Sequence, residues 1–321
     1  MNSSLFLFLL SMMLGVMISL CSSNMITVWI GLEISLLSFM PIMVGESLLS
    51  SESSMKYYIV QSVSSSLLLL GVMILIMDLN WLGELILSLS LLIKLGVAPF
   101  HMWVLSVVEG LNWLSLFIIL FIMKLVPLFM ISLMGFELML MSILTMIIGS
   151  ISGLIQNSIR KLLAFSSIYN LGLIISCIYE TSLWLNYFLI YGFILFMILL
   201  MIISFNSNYI NQVIMMEFSL MKKLIFWLVL LSMGGLPPFL GFLNKLLIIE
   251  FLLKNNYLLS VTVLILTSLL VIFYYIRLSY ISIFFSSMLK FNLIKMSNIS
   301  VMILVINLFM FPFMLSLKGL T

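Results

Sequence analysis

Apolar residues dominate the chain in long runs separated by short polar joints. A helix needs roughly 20 apolar residues to cross the hydrocarbon core of a bilayer. Eleven segments meet that requirement: 5–21, 25–44, 57–77, 84–105, 113–134, 136–155, 161–179, 183–204, 223–253, 257–280 and 299–316. No joint between them is long and polar enough for a soluble domain. The pattern predicts an all-α polytopic membrane protein, with a single membrane domain over 1–321 and about 11 transmembrane helices.

Two of the segments carry the same interruption. Gly96-Val97-Ala98-Pro99-Phe100 and Gly235-Leu236-Pro237-Pro238-Phe239 both read Gly-x-x-Pro-Phe, and their glycines stand 139 residues apart. Proline lacks an N–H and its ring clashes with the carbonyl four residues back. Pro99 is therefore expected to free the carbonyl of Leu95, and Pro237 and Pro238 those of Met233 and Gly234. Lipid satisfies no such group, so a break of this kind is buried in protein or lines a wet cavity. The segment 223–253 is too long for one simple span and reads as two half-helices around its break. Segments 5–134 and 136–280 then form two five-helix repeats, each with a broken fourth helix. An odd number of helices per repeat makes the second enter from the opposite side, the inverted arrangement of many transporters. Segment 299–316 is an extra C-terminal helix.

Composition agrees with the pattern. The chain is 64% hydrophobic and 7% charged, against about 25% charged in soluble domains, and its mean hydropathy is +1.38. The net charge of +3 points to no nucleic acid. The first twenty residues carry no Lys or Arg, and a secretory signal has a basic start, so 1–20 is expected as a retained first helix. With alternating spans, Lys56, Arg160, Lys161, Lys222, Lys223, Lys290 and Lys295 collect on the N-terminal side. Lys254 and Lys318 fall on the other. The positive-inside rule places the N-terminus inside, which in a mitochondrion is the matrix.

On so charge-poor a chain, ionisable residues within apolar runs stand out. Glu33, Lys94 and Lys124 are central in their segments, and Lys245 follows Pro238 by seven residues. A charge at mid-membrane costs about 2.5–3.5 kcal/mol on insertion scales. Snorkelling serves helix ends, but the interface lies about 15 Å from positions 94 and 124 at 1.5 Å per residue. Structural pairing with Glu33 accounts for one lysine and leaves two. The alternative is proton transfer. Burial disfavours a lysine's cation, and a carboxylate at about 4 Å restores it by ~4 kcal/mol at an effective dielectric of ~20. A row of such lysines passes protons sideways, with water on the freed carbonyls completing the path. This mechanism uses no metal and no redox centre.

Other candidates are less decided. His101 either relays a proton or caps the broken helix beside Pro99. Glu250 lies near a membrane edge. Glu84 and Glu137 begin their segments, where an acid suits a helix N-terminus. Arg160 and Lys161 serve orientation and lipid contact. One histidine makes neither a haem pair nor a zinc site, and Cys21 and Cys177 are too few for a cluster. The chain is thus expected to bind no cofactor and no metal.

A family resemblance joins these residues. Trp29-Ile30-Gly31-Leu32-Glu33-Ile34, Lys56-Tyr57-Tyr58 and Lys94 to Trp103 resemble the subunit 2 family of NADH dehydrogenase, an antiporter-like component of mitochondrial respiratory complex I. So do Arg160 to Ile168, Gly234 to Lys245, and Tyr275-Ile276-Arg277-Leu278. The resemblance runs in order from about residue 25 to 280. It implies that Glu33 pairs with Lys94, that Lys124 links the halves, and that Lys245 lies toward the exit. It also implies that NADH, FMN, iron–sulfur clusters and ubiquinone belong to other subunits. Expected partners are other membrane-arm subunits and membrane lipids, cardiolipin among them. Where the family often has a histidine, this chain has Asn170, which holds water but does not titrate. The expected function is proton translocation within a proton-pumping NADH:ubiquinone reductase of the mitochondrial inner membrane. One alternative is a subunit of a multisubunit Na+/H+ antiporter, which usually keeps three further N-terminal helices. Another is a scaffold whose charges never titrate.

Overall fold

The computed structural model describes residues 3–45, 47–136, 138–205, 207–209, 212 and 220–287, with side chains omitted at 220–222 and 281–287. Glu137 and segment 299–316 lie outside the described residues. The described residues are helical, apart from short joints and one isolated bridge between Ser158 and Tyr209. The contacts divide them into two compact units, one ending at Leu138 and the other beginning at Met139.

In the first unit α1 (Ser3–Cys21) lies along α2 (Met25–Met43), and α2 packs on α3 (Leu48–Ile76). The α1–α2 pair is a backbone contact. A Cβ at Gly15 would stand 2.8 Å from the Gly31 carbonyl oxygen, and one at Gly31 would stand 2.7 Å from that of Gly15. Small residues at such a crossing are how membrane helices gain van der Waals contact when lipid supplies no hydrophobic drive. Helix α3 starts well before the expected residue 57, because Ser47 caps it by accepting from the Ser50 N–H at 3.3 Å. Both α4 (Asn80–Leu95) and α5 (Met102–Val108) pack on α3. The expected segment 113–134 is α6 (Trp113–Phe117), a π-helical turn (Ile118–Ile122) and α7 (Met123–Met134), which packs on α4 and α1.

The second unit is built around α9 (Ile159–Ser176), which α8 (Met139–Gly153) accompanies along its length. It is buried almost throughout, although its hydropathy is the lowest of the spanning helices. Around it stand α10 (Thr181–Phe205), α12 (Leu240–Lys254) and α13 (Leu258–Ser287), with α11 (Leu220–Gly234) packed on α10 and α13. Seven helices among the described residues are long and apolar enough to cross a membrane. The other expected segments within the described residues, 84–105, 136–155 and 223–253, are made of shorter helices. Leu7, Leu14, Met17, Leu37 and Leu70 are exposed on the outer surface, as lipid contact requires. Buried serines and threonines in the spans return their hydrogens to a carbonyl three or four residues back, as Ser64 does to Gln61 and Ser166 to Leu163, so they add no unpaired donor.

Both expected breaks are present, but glycine makes them before proline acts. Helix α4 stops at Leu95, and Gly96 takes φ +71°. Its N–H reaches the Ile93 carbonyl at 3.1 Å while the Val97 N–H reaches Leu92 at 3.1 Å. Helix α11 stops at Gly234, and Gly235 takes φ +78°. Its N–H reaches Ser232 at 3.1 Å while the Leu236 N–H reaches Leu231 at 3.4 Å. This double return is a Schellman cap, which needs a left-handed residue and so favours glycine. Every position of one cap is 139 residues from its counterpart. The prolines then prevent the helix from resuming at once.

Gly96→Ala should be poorly tolerated. The left-handed conformation costs a non-glycine residue roughly 1–2 kcal/mol, and the new Cβ would collide with Val104. The expected result is a loss of folded protein in the membrane fraction, whereas Gly135→Ala, also left-handed but facing open space, should lose only the strain.

A cavity between two lysines and a lysine-capped break

The last turn of α4 carries Lys94, and α7 carries Lys124 two residues after the π-helical turn ends. Pro127, inside α7, supplies no N–H to the carbonyl of Met123, and the wider π turn stands just ahead of that point. Such turns are rare and concentrate at functional sites. Lys94 is 7% exposed and Lys124 4%. Both line one cavity in the first unit, with Ser35, Tyr57, Gln61 and Trp103 as its other polar walls. About 20 Å³ of it is open to the centre of a water molecule, and roughly 10–15 Å³ suffices for one water.

The cavity walls also complete the first break. Trp103 donates its indole N–H to the Ile93 carbonyl at 3.0 Å, and Gln61 donates to the Lys94 carbonyl at 3.4 Å. Side chains thus serve two carbonyls just ahead of the Leu95 carbonyl that Pro99 was expected to free. Tyr57 packs edge-on to Phe39, with centroids 5.5 Å apart, and tilts against Trp103 at 6.0 Å. Glu33 is partly exposed and stands outside the cavity lining. Its carboxylate acts electrostatically on both Lys94 and Tyr57 without closing to an ion pair with Lys94. His101 stands at the N-cap position of α5 without a side-chain capping bond, its Nδ1 buried, and it too is outside the lining. Glu84 and Glu250 are exposed on their helices.

The second break is completed differently. Lys245, 5% exposed on α12, donates its ammonium to the Gly234 carbonyl. That carbonyl stands four residues before Pro238, which has no N–H to offer it. The same ammonium lies 5.4 Å from the centroid of the Tyr169 ring, a cation–π distance. Asn170, in the position noted for a family histidine, accepts a 2.8 Å hydrogen bond from the Tyr187 hydroxyl. It lines a smaller cavity in the second unit with Tyr191 and Asn244. At the start of α9, Arg160 donates to the Asn208 side chain at 3.2 Å.

Gln61, Tyr57 and the π-helical turn were not anticipated as site features. The signal for the first two was present. Ser50, Ser53, Tyr57, Gln61 and Ser64 recur at three- and four-residue intervals on α3, and all are buried. A polar stripe turned inward is the reverse of a soluble helix.

Residues 22–271 match the family model described as NADH:quinone oxidoreductase/Mrp antiporter, TM. The NADH-ubiquinone oxidoreductase chain 2 of Anopheles gambiae is 42% identical over 317 residues, covering 92% of each chain. The chain belongs to the NADH-ubiquinone oxidoreductase chain 2 family. Another chain 2, from Aedes aegypti, is 38% identical over 87% of this chain and 85% of its own. The chain 2 fold extends to distant proteins. A chain of respiratory complex I from Thermus thermophilus superposes with a TM-score of 0.79 at 18% identity, over 95% of this chain and 78% of that one. A chain of the Mrp complex from Dietzia sp. superposes with a TM-score of 0.75 at 17% identity, over 84% of this chain and 59% of that one.

The two lysines should respond differently to loss of charge. Lys245→Met leaves the buried Gly234 carbonyl without its partner, at about 1–3 kcal/mol. Lys94→Met removes a buried charge whose backbone neighbours are served by Gln61 and Trp103, and such replacements are often neutral. Thermal denaturation of the assembled complex should therefore show Lys245→Met as the less stable variant. Equal stability of the two would contradict the carbonyl-capping role.

Proposed function

We propose that this chain translocates protons as a membrane-arm subunit of NADH:ubiquinone oxidoreductase. The observation that carries the reading is the cavity shared by Lys94 and Lys124, within electrostatic reach of Glu33. Two ammonium groups facing one small space repel each other, so a proton arriving on one favours release from the other. Water in the cavity gives the proton a route. Glu33 sets the charge on Lys94, and a shift of its carboxylate toward or away from the cavity makes the lysine hold or release its proton. The relay continues in the second unit at Lys245. His101 is an auxiliary relay candidate at the first break. Family membership and near full-length coverage of chain 2 relatives support this reading over an Na+/H+ antiporter subunit.

The redox chemistry belongs to other subunits. They hold NADH, FMN, iron–sulfur clusters and ubiquinone, and their turnover drives the lysine relay from outside this chain. The partners are the other membrane-arm subunits and inner-membrane lipids, including cardiolipin at the basic positions. The protein resides in the mitochondrial inner membrane, and the distribution of Lys and Arg supports an N-terminus toward the matrix.

Glu33→Gln tests the relay. The amide keeps the size of the side chain and removes a charge whose attraction for a nearby lysine is worth a few kcal/mol. Each ~1.4 kcal/mol is a tenfold effect, so coupled NADH oxidation should fall about tenfold or more, with fewer protons pumped per NADH. Native gels should show normal assembly. A normal proton-to-NADH ratio in the assembled variant would exclude Glu33 from the relay.

A further inference from the structure

The interior of the second unit holds more hydroxyl groups than its protein partners satisfy. Tyr169 on α9, Tyr191 on α10, and Tyr274 and Tyr275 on α13 are buried. None of the four hydroxyls closes a hydrogen bond of good geometry. They are nonetheless neighbours of one another and of smaller hydroxyls. Tyr275 stands against Tyr274 with ring centroids 4.5 Å apart, and against Ser166. Tyr191 stands against Ser167, and Tyr169 against Thr267. Ser166, Ser167 and Thr267 direct their hydrogens to their own helix carbonyls at 2.9, 2.7 and 2.7 Å. They present only lone pairs to the tyrosines, so the mobile hydrogens of the cluster belong to the tyrosines.

Buried polar groups left unsatisfied by protein are where bound water is found. A cavity lies beside one of the four, Tyr191. It is lined by Asn170, Tyr187, Tyr191, Met233, Gly241 and Asn244, with about 10 Å³ open to the centre of a water molecule, close to the minimum for one water. Asn244 precedes Lys245, and the Tyr169 ring lies under the Lys245 ammonium. Tyr169 is fixed from behind, because a Cβ at Gly149 of α8 would approach its backbone nitrogen to 2.6 Å.

Resting on the relay reading above, we propose that the hydroxyls of Tyr169, Tyr191, Tyr274 and Tyr275, with Asn170 and Asn244, bind water that carries protons between Lys245 and the interior of the second unit. Each hydroxyl accepts a proton from one side and gives its own to the other. The step makes and breaks one O–H bond per group, leaves every group neutral, and needs no oxidant. It also explains how this chain works with Asn170 in place of a titrating histidine: the asparagine holds the Tyr187 hydroxyl and a water while the tyrosines do the passing. Tyr169 is in addition a positioning residue that keeps the Lys245 ammonium over its ring.

The test compares three assembled complexes in reconstituted vesicles: wild type, Tyr191→Phe/Tyr275→Phe, and Lys245→Gln, which keeps an N–H for the Gly234 carbonyl but carries no proton. The tyrosine variant keeps its rings, so packing survives. It should lower the protons pumped per NADH toward the Lys245→Gln value and raise the H2O/D2O rate ratio of coupled NADH oxidation, a readout that a packing role leaves unchanged. Wild-type pumping and isotope ratio in the tyrosine variant, with Lys245→Gln impaired, would overturn the water cluster and leave the lysine relay standing. Wild-type pumping in Lys245→Gln would overturn both. If the double variant does not assemble, the single variants Tyr191→Phe and Tyr275→Phe decide by the isotope ratio, and an unchanged ratio in both contradicts the cluster.

Discussion

Inside a bilayer, every backbone polar group exposed by a break in a helix must find its partner within the protein. That constraint governs both interrupted spans. Each ends its first half in the same Schellman cap on a left-handed glycine, Gly96 or Gly235, and each restarts after a proline. Beyond the cap the two diverge. Carbonyls at the end of α4 are taken by Trp103 and Gln61. The carbonyl of Gly234 is taken by the ammonium of Lys245. One lysine is therefore left to face a cavity, and the other is tied to the backbone of the break it follows.

This difference gives the two halves distinct chemistry on a shared scaffold. In the first unit, Lys94 and Lys124 meet at a space large enough for water, with Tyr57, Gln61 and Ser35 keeping its wall polar. Replacing these groups by leucine would remove the cost of burial, so their presence calls for a use other than stability. In the second unit, the Lys245 charge is held between a carbonyl and an aromatic face, with the neutral hydroxyl of Tyr169 and amide of Asn244 close by. The proposed relay thus passes from charge-to-charge transfer in the first unit to hydroxyl-and-water transfer around Lys245.

Much of this was legible in the sequence because membranes impose coarse rules. Length and hydropathy located most of the described spans, and Gly-x-x-Pro-Phe located both breaks. The rarity of charge singled out Glu33, Lys94, Lys124 and Lys245. What escaped was finer. Proline seemed to make the breaks, yet glycine ends each helix first, since a left-handed residue stops the hydrogen-bond ladder before the proline ring is reached. The π-helical turn before Lys124 left only the faint trace of Pro127, because the turn depends on tertiary packing. The start of α3 moved to Leu48 because a serine cap outweighs low hydropathy. The tyrosines of the second unit are scattered over three helices, and nothing in one-dimensional spacing brings Tyr169, Tyr191, Tyr274 and Tyr275 together.

The central claim is that Lys94 and Lys124 are joined by water in one cavity. The most direct measurement is a structure of the assembled complex at a resolution that resolves individual water molecules. The account predicts ordered water within hydrogen-bonding distance of both ammonium groups, walled by Tyr57, Gln61 and Ser35. A dry cavity, or one filled by an apolar side chain or a lipid tail, would contradict it.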